Sequence, residues 1–328
     1  MGQPPGGALV KDFLLKAGWA DAEAHPLAGD ASSRRYTRLT RGRDSAILMD
    51  DPEGDVALFA RLARHLRSIG LSAPRVLAEV PGKLLLEDLG DGLVARLCTD
   101  AEAEKRLYLV ATDALIALHR FDPPEDLPVA DAAHLSQITG LAFDAYVPGS
   151  GAPQDPEARA SVIAALHDLI AEHAPETDVM ILRDYHAENI LWLPDREGAG
   201  RAGLLDFQDA LKGPRAYDLI SLIRDARRDV SAEAAEACIG HYLGQTGADE
   251  PSFRTALAVL GVQRSLRILG IFASLAKTRG KPQYIDLIPR VWDNLQTDLA
   301  HPALAGLRAL LDPALPAPTP ETLERLKS

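Results

Sequence analysis

The chain has 328 residues, 47% of them hydrophobic and 25% charged, and a formal net charge of −12. That length accommodates two lobes and more than one compact core, and the absence of a long basic run excludes nucleic acid as an expected partner. Met1–Val10 is Gly/Pro-rich without an apolar h-region and no apolar stretch approaches the roughly 18–20 residues of a membrane span, so a cytoplasmic protein with no membrane partner is expected.

A short helix is expected over Val10–Ala17, then strands at Tyr36–Thr40 and Ala46–Asp50. Val56, Phe59, Ala60, Ala63, Leu66 and Ile69 recur at near-helical spacing and predict a helix over Val56–Ile69. Strands at Arg75–Val80 and Leu84–Leu89 follow, joined through the turn signal Pro81-Gly82. This strand, strand, helix, strand, strand order ends at Glu87-Asp88-Leu89-Gly90-Asp91-Gly92, a natural hinge, which divides the chain into residues 1–88 and 89–328. The second part reads as mainly helical, with apolar faces over Glu104–His119, Ala158–His173 and Ser252–Ala276. Short β segments interrupt it at Val179–Leu182, Ile190–Leu193 and Gly203–Asp206. Pro-rich loops are expected at Pro123–Pro128, Pro148–Pro156 and Pro313–Pro320. Cys98 and Cys238 lie far apart and outside any metal-ligand spacing, which suggests two buried thiols in a reducing compartment.

The most informative segments are Leu182-Arg183-Asp184-Tyr185-His186-Ala187-Glu188-Asn189 and Leu204-Leu205-Asp206-Phe207-Gln208-Asp209. Phosphoryl transfer from ATP asks for a carboxylate to take the proton of the attacking hydroxyl, and for nearby oxygen ligands that hold Mg²⁺ on the phosphates. Asp184 followed five positions later by Asn189, with Asp206 closing an apolar strand, matches that requirement. A hairpin between the two segments would bring Asp206 back beside Asn189. As isolated residues Asp184 and Asn189 would pass for ordinary turn residues; the apolar flanks, the downstream Asp-Phe and the upstream α/β unit set them apart.

These segments resemble the aminoglycoside phosphotransferase family, whose members share the protein-kinase-like fold. Asp30-Ala-Ser-Ser-Arg-Arg-Tyr-Thr-Arg38, Arg183-Asp-Tyr-His-Ala-Glu-Asn-Ile-Leu-Trp192, Ala216-Tyr-Asp-Leu219, Asp225-Ala-Arg-Arg-Asp-Val230 and Ile288-Pro-Arg-Val-Trp292 are similar to that family's anomeric sugar kinases. Those enzymes phosphorylate N-acetylmuramate and N-acetylglucosamine at C1 in peptidoglycan recycling. The resemblance implies an α+β, bilobal protein-kinase-like fold: a small antiparallel-sheet N-lobe that binds nucleotide, and a large, mostly helical C-lobe that binds the acceptor. It implies ATP and Mg²⁺ as cofactors, a small amino sugar as substrate and no obligate protein partner. Asp184 becomes the catalytic base, and Asn189 and Asp206 the metal ligands.

One feature departs from a protein kinase. Met49 stands about where the strand lysine belongs, and the following helix offers only Glu53 and Asp55 at its start, so both halves of the Lys–Glu pair are absent. The candidates for phosphate binding are therefore backbone N–H groups at Ser32 and Ser33 with Arg34, Arg35 or Arg38, since guanidinium binds phosphate bidentately. Glu87 and Leu89 border the expected adenine edge through their main chain. Gly90-Asp-Gly92-Leu-Val-Ala95 also matches a dinucleotide pattern, but no following βα unit with a terminal acid supports it.

For the acceptor, His186, Asp209, Arg227 and Arg228 are the candidates. Arg224–Asp229 reads as a helix whose charges either pair between adjacent turns or, at Arg227 or Arg228, bind the lactyl carboxylate of a muramic acid. Asp209, Asp225 and Asp229 leave a polycationic aminoglycoside or another small alcohol open as acceptor. A nucleotide-binding regulatory module without catalysis is the competing class.

Overall fold

The computed structural model describes residues 6–27 and 34–328; Ser32 and Ser33, expected at the phosphates, lie outside them. In chain order the elements are α1 (Gly6–Lys16), β1 (Glu23–Pro26), β2 (Arg35–Arg41), β3 (Asp44–Asp50), α2 (Val56–Ser68), β4 (Val76–Val80) and β5 (Lys83–Glu87). There follow α3 (Val94–Leu97), α4 (Ala101–Leu118), α5 (Ala132–Gln137), α6 (Val147–Gly149), α7 (Pro156–His173), β6 (Val179–Ile181), β7 (Ile190–Trp192), β8 (Ala202–Leu204) and β9 (Leu211–Gly213). The chain closes with α8 (Ala216–Ile223), α9 (Ala232–Thr246), α10 (Glu250–Arg279), α11 (Ile288–Leu299), α12 (Ala305–Ala314) and α13 (Pro320–Lys327).

These form two compact units: Met1–Arg96 with Glu188–Gln208, and Leu97–Ala187 with Asp209–Ser328. The sequence suggested a single boundary after residue 88; the segment 188–208 instead groups with the N-terminal residues. The reason is hydrogen bonding. Trp192 N–H donates to Gly92 O at 2.7 Å and Leu204 N–H to Ser72 O at 2.8 Å. A Cβ on Gly92 would sit 2.8 Å from Trp192 O, so only glycine admits that approach.

The first unit is built on a five-stranded antiparallel sheet in the order β1-β2-β3-β5-β4. Alternation along β2, β3 and β5 sends Leu39, Ala46, Leu48 and Leu85 to one face, where they cluster with Phe13 of α1. Helix α2 packs on β4 and β5; its N-cap is Asp55, whose carboxylate accepts the Leu58 N–H. The second unit is organised on α10, which packs against α7, α8 and α11. By length and composition α10 is apolar enough to cross a membrane, contrary to the sequence expectation, but 83% of its apolar window is buried inside the protein, the pattern of a core helix. Asp100, Asp131, Asp155 and Asp249 cap α4, α5, α7 and α10, so part of the acidic excess serves helix termini. Pro313, expected in a loop, lies inside α12.

Candidate active site

In the second unit, β6 delivers the chain into the Arg183–Ala187 loop. Asp184 N–H donates back to Leu182 O at 2.9 Å, with Arg183 at φ 71° between them. This is a γ-turn of the rare, strained hand. Its backbone is held from three sides. The Asp218 carboxylate of α8 accepts Leu182 N–H at 2.5 Å and Arg183 N–H at 2.9 Å. Arg264 of α10 donates to Arg183 O at 2.9 Å, and Ser221 Oγ reaches the same oxygen at 3.4 Å. Burial pushes Asp218 up to about 6, against the two N–H groups and the Arg264 charge, which favour the carboxylate. The loop continues with Tyr185, whose hydroxyl donates to Ala111 O at 2.7 Å. His186 is buried, and the Arg227 guanidinium lies 2.9 Å from its Nε2. A guanidinium only donates, so Nε2 accepts and the ring proton resides on Nδ1. Asp184 itself is half-buried.

In the first unit, β7 and β8 pair with Ile190 opposite Leu204, and Leu205 N–H donates to Asn189 O at 3.0 Å. The hairpin thus sets the Asp206 strand end beside Asn189. Asp206 has φ 56°, a left-handed conformation that Asp tolerates better than most residues. The Gln208 side-chain amide donates to Asp206 Oδ1 at 2.8 Å, and so does Arg34 Nη1 at 3.1 Å. Arg34 Nε is meanwhile 2.9 Å from Asp51 Oδ2. Asn189 and Asp206 offer hard oxygen donors, and the buried Gln208 Oε1 next to them has no hydrogen-bond partner among the described residues. That donor set suits Mg²⁺. Among the described residues no group of three or more His, Cys, Asp or Glu side chains is placed to hold a metal ion by itself.

The other expected nucleotide residues in this unit fall in different settings. Arg35 is exposed and pairs with Asp50 at 2.8 Å. Arg38 is tied to Asp88 and Asp91, at 2.8 and 2.9 Å. Glu87 binds Arg196 at 2.8 Å, Arg67 at 3.3 Å and the Arg75 N–H at 3.0 Å, so its side chain is a structural tie. Leu89 is half-buried and lies against Gly203. Met49 is fully buried and serves the core.

The acceptor candidates lie in the second unit, apart from any helix. α8 ends at Ile223, and Asp225 Oδ1 accepts the Arg227 N–H at 2.8 Å, a side-chain-closed turn that replaces the expected helix over Arg224–Asp229. The helical frame for the anticipated pairs between adjacent turns is therefore lost. Arg224 pairs with Asp298, Arg228 with the buried Glu104 at 3.0 Å, and Asp229 with Arg290. Arg228 also lies over the Tyr108 ring at 5.7 Å and beside Cys98, which is only part-buried rather than a core thiol. Of the two arginines, Arg227 is the one placed at the Arg183–Ala187 loop, through His186. Asp209 has an exposed side chain, and its carbonyl accepts Arg183 Nη1 at 3.3 Å.

The sequence reading missed Asp51, Gln208 and Arg264 as members of these networks. Asp51 had a signal: it stands one residue beyond the strand that lacks its lysine. Arg264 had none: it is one of several basic residues along α10, and nothing in its spacing sets it apart from Arg267.

Residues 23–254 match the phosphotransferase enzyme family. A Caulobacter vibrioides protein named N-acetylmuramate/N-acetylglucosamine kinase is 38% identical, over 94% of this chain and 96% of its own. A Pseudomonas aeruginosa protein of the same name is 33% identical over 93% of each chain. Among solved structures, a choline/ethanolamine kinase family protein from Mesorhizobium loti superposes with a TM-score of 0.64 at 15% identity, covering 98% of this chain and 99% of that one. A choline kinase from Streptococcus pneumoniae gives 0.61 at 14% identity, covering 90% and 100%. At such identities the likeness concerns the fold, which is α+β and protein-kinase-like. The chain belongs to the phosphotransferase enzyme family.

Proposed function

We propose that the protein transfers the γ-phosphoryl group of ATP to the anomeric C1 hydroxyl of N-acetylmuramate or N-acetylglucosamine. The observation that carries this reading is near full-length similarity, at 38% and 33% identity, to two proteins named as kinases of these sugars. The retained Asp184, Asn189 and Asp206 support a catalytic chain over a silent nucleotide-binding module.

Asp184 orients the C1 hydroxyl and takes its proton as the oxygen attacks phosphorus and ADP leaves. Asn189 and Asp206 hold Mg²⁺, which when bound neutralises phosphate charge. Arg34 contributes a second positive charge at the phosphates. Arg227, with His186, is the candidate contact for the sugar, and its guanidinium suits the lactyl carboxylate of the muramic acid. The product, a sugar 1-phosphate, fits a cytoplasmic step that returns peptidoglycan amino sugars to use.

The test is a coupled ADP-release assay with Mg-ATP against N-acetylmuramate, N-acetylglucosamine, kanamycin and choline, with mild acid hydrolysis of the product. Turnover on the N-acetyl sugars with an acid-labile phosphate supports the C1 assignment. Turnover confined to kanamycin or choline overturns the sugar and the Arg227 contact, and an acid-stable sugar phosphate overturns C1.

A further inference from the structure

The first unit lacks the strand lysine and helix glutamate of a protein kinase, yet it contains a cation–carboxylate pair of a different origin. Arg34 lies just before β2, and Asp51 just after β3. The antiparallel register sets Arg35 opposite Asp50, so the next residues outward, Arg34 and Asp51, meet across the end of the two strands. Their contact is Nε to Oδ2 at 2.9 Å. Asp51 is 4% exposed, an unusual site for a carboxylate without a partner. Its backbone is also fixed, because its N–H donates to Gly82 O at 2.9 Å. A Cβ on Gly54 would fall 2.0 Å from Asp51 Oδ2, so that glycine leaves the carboxylate its room.

The guanidinium has two ends with different duties. Nε is committed to the buried Asp51, and Nη1 reaches the half-exposed Asp206 at 3.1 Å. Tyr36 lies against the same group from β2. A cation is thus already parked on the carboxylate expected to hold a metal, and it is anchored from behind by the buried Asp51.

We infer that Asp51 is a positioning residue that holds Arg34 at the nucleotide phosphates, so that the Arg34–Asp51 pair takes over the task of the absent lysine–glutamate pair. This rests on the kinase reading above and deepens it. With Nε held on Asp51, Nη1 is the arm that would turn from Asp206 to a phosphate oxygen, which would leave Asp206 open to a metal. An arginine suits this division because its fork keeps two separate donor directions, which a lysine ammonium lacks.

The test is calorimetric binding of ADP with Mg²⁺, and of adenosine, to wild type, Asp51→Asn, Arg34→Ala and the double variant, with thermal unfolding as a control. Losing a charge-assisted hydrogen bond costs about 1.5–3 kcal/mol, so Asp51→Asn is expected to weaken ADP binding by about tenfold to a hundredfold and leave adenosine binding unchanged. The double variant is expected to bind ADP no worse than Arg34→Ala, because Asp51 acts through Arg34. In the assay, KM for ATP rises while KM for the sugar holds. Wild-type affinity for ADP in Asp51→Asn, losses that add in the double variant, or equal losses for ADP and adenosine would each overturn the inference. Should wild type itself fail to bind ADP, the kinase reading falls first, and that outcome is distinct from any of these.

Discussion

The strained turn at Arg183 makes Arg264 the most informative residue to remove. A non-glycine residue at positive φ costs on the order of 1–3 kcal/mol and persists only where its surroundings hold it. Here the hold consists of two N–H bonds into Asp218, the Arg264 bond to Arg183 O at 2.9 Å and the longer Ser221 Oγ contact to the same oxygen. Arg264→Met keeps the length and apolar stem of a side chain that is 6% exposed, but deletes a charged hydrogen bond worth about 1.5–3 kcal/mol. That matches the strain, so the turn no longer has a clear preference for the conformation that aims Asp184. The expected result is a fall in kcat of about tenfold to a hundredfold, with KM for ATP changed little. A second effect follows from charge. Arg264 opposes the burial that pushes Asp218 up to about 6, so without it Asp218 holds its proton to higher pH, and the acid limb of the kcat profile moves to higher pH. The assay is steady-state ADP release from pH 5 to 9 on a variant whose thermal unfolding confirms the fold. A folded variant with kcat within twofold of wild type and an unmoved acid limb would refute the reasoning.

Three further outcomes are expected. Asp184→Asn keeps ADP binding near wild type by calorimetry but lowers turnover by at least about a hundredfold; near-normal turnover removes Asp184 from the mechanism. Asp298 is 5% exposed in the second unit, and burial pushes it up to about 7 against the Arg224 charge. The folded state therefore keeps a proton that the unfolded chain loses near the ordinary carboxylate value of 3.8. The stabilisation it contributes is full below that value and is lost as pH rises through about 7, so Asp298→Asn should flatten the fall in unfolding free energy between pH 4 and 8, by a few kcal/mol; an unchanged slope in urea melts contradicts this. Gly270→Ala places a Cβ 2.5 Å from Leu141 C and 2.7 Å from Ala142 N, backbone atoms that cannot swing aside. Overpacking of this kind costs about 1–3 kcal/mol, so the melting temperature should drop by several degrees; a drop below about one degree would mean that α10 shifts without penalty.

Much of this architecture was legible because its elements carry their own signals. The alternation of β2, β3 and β5 and the periodic face of α2 gave those elements to within a few residues, and the hairpin that returns Asp206 to Asn189 followed from two apolar runs around a polar loop. What escaped detection depends on tertiary pairing. β1, Glu23–Pro26, is fully exposed and has no apolar alternation; it is a strand only because β2 supplies its partner. β9 is three residues long and exists by pairing with β6. Arg224–Asp229 carries helical charge spacing, but the Asp225 side chain closes a turn and each neighbouring charge finds a partner distant in sequence. The importance of Asp51 likewise arises from register, which brings Arg34 to it across a strand end.

The discontinuity of the first unit bears on how the protein is made. Its sheet strands are all synthesised by residue 87, but the β7–β8 hairpin that covers Ser72 and Gly92 is not complete until residue 204. At about 5–20 residues per second, the ribosome takes roughly 6–23 s to cross that gap. During it, the amino-terminal sheet waits with Gly92 O and Ser72 O open, and the Glu87 carboxylate lacks its Arg196 partner. A fragment cut at residue 96 would stay in that state permanently. Truncations and exchanges between relatives thus need to carry residues 188–208 together with the amino-terminal segment for that unit to close.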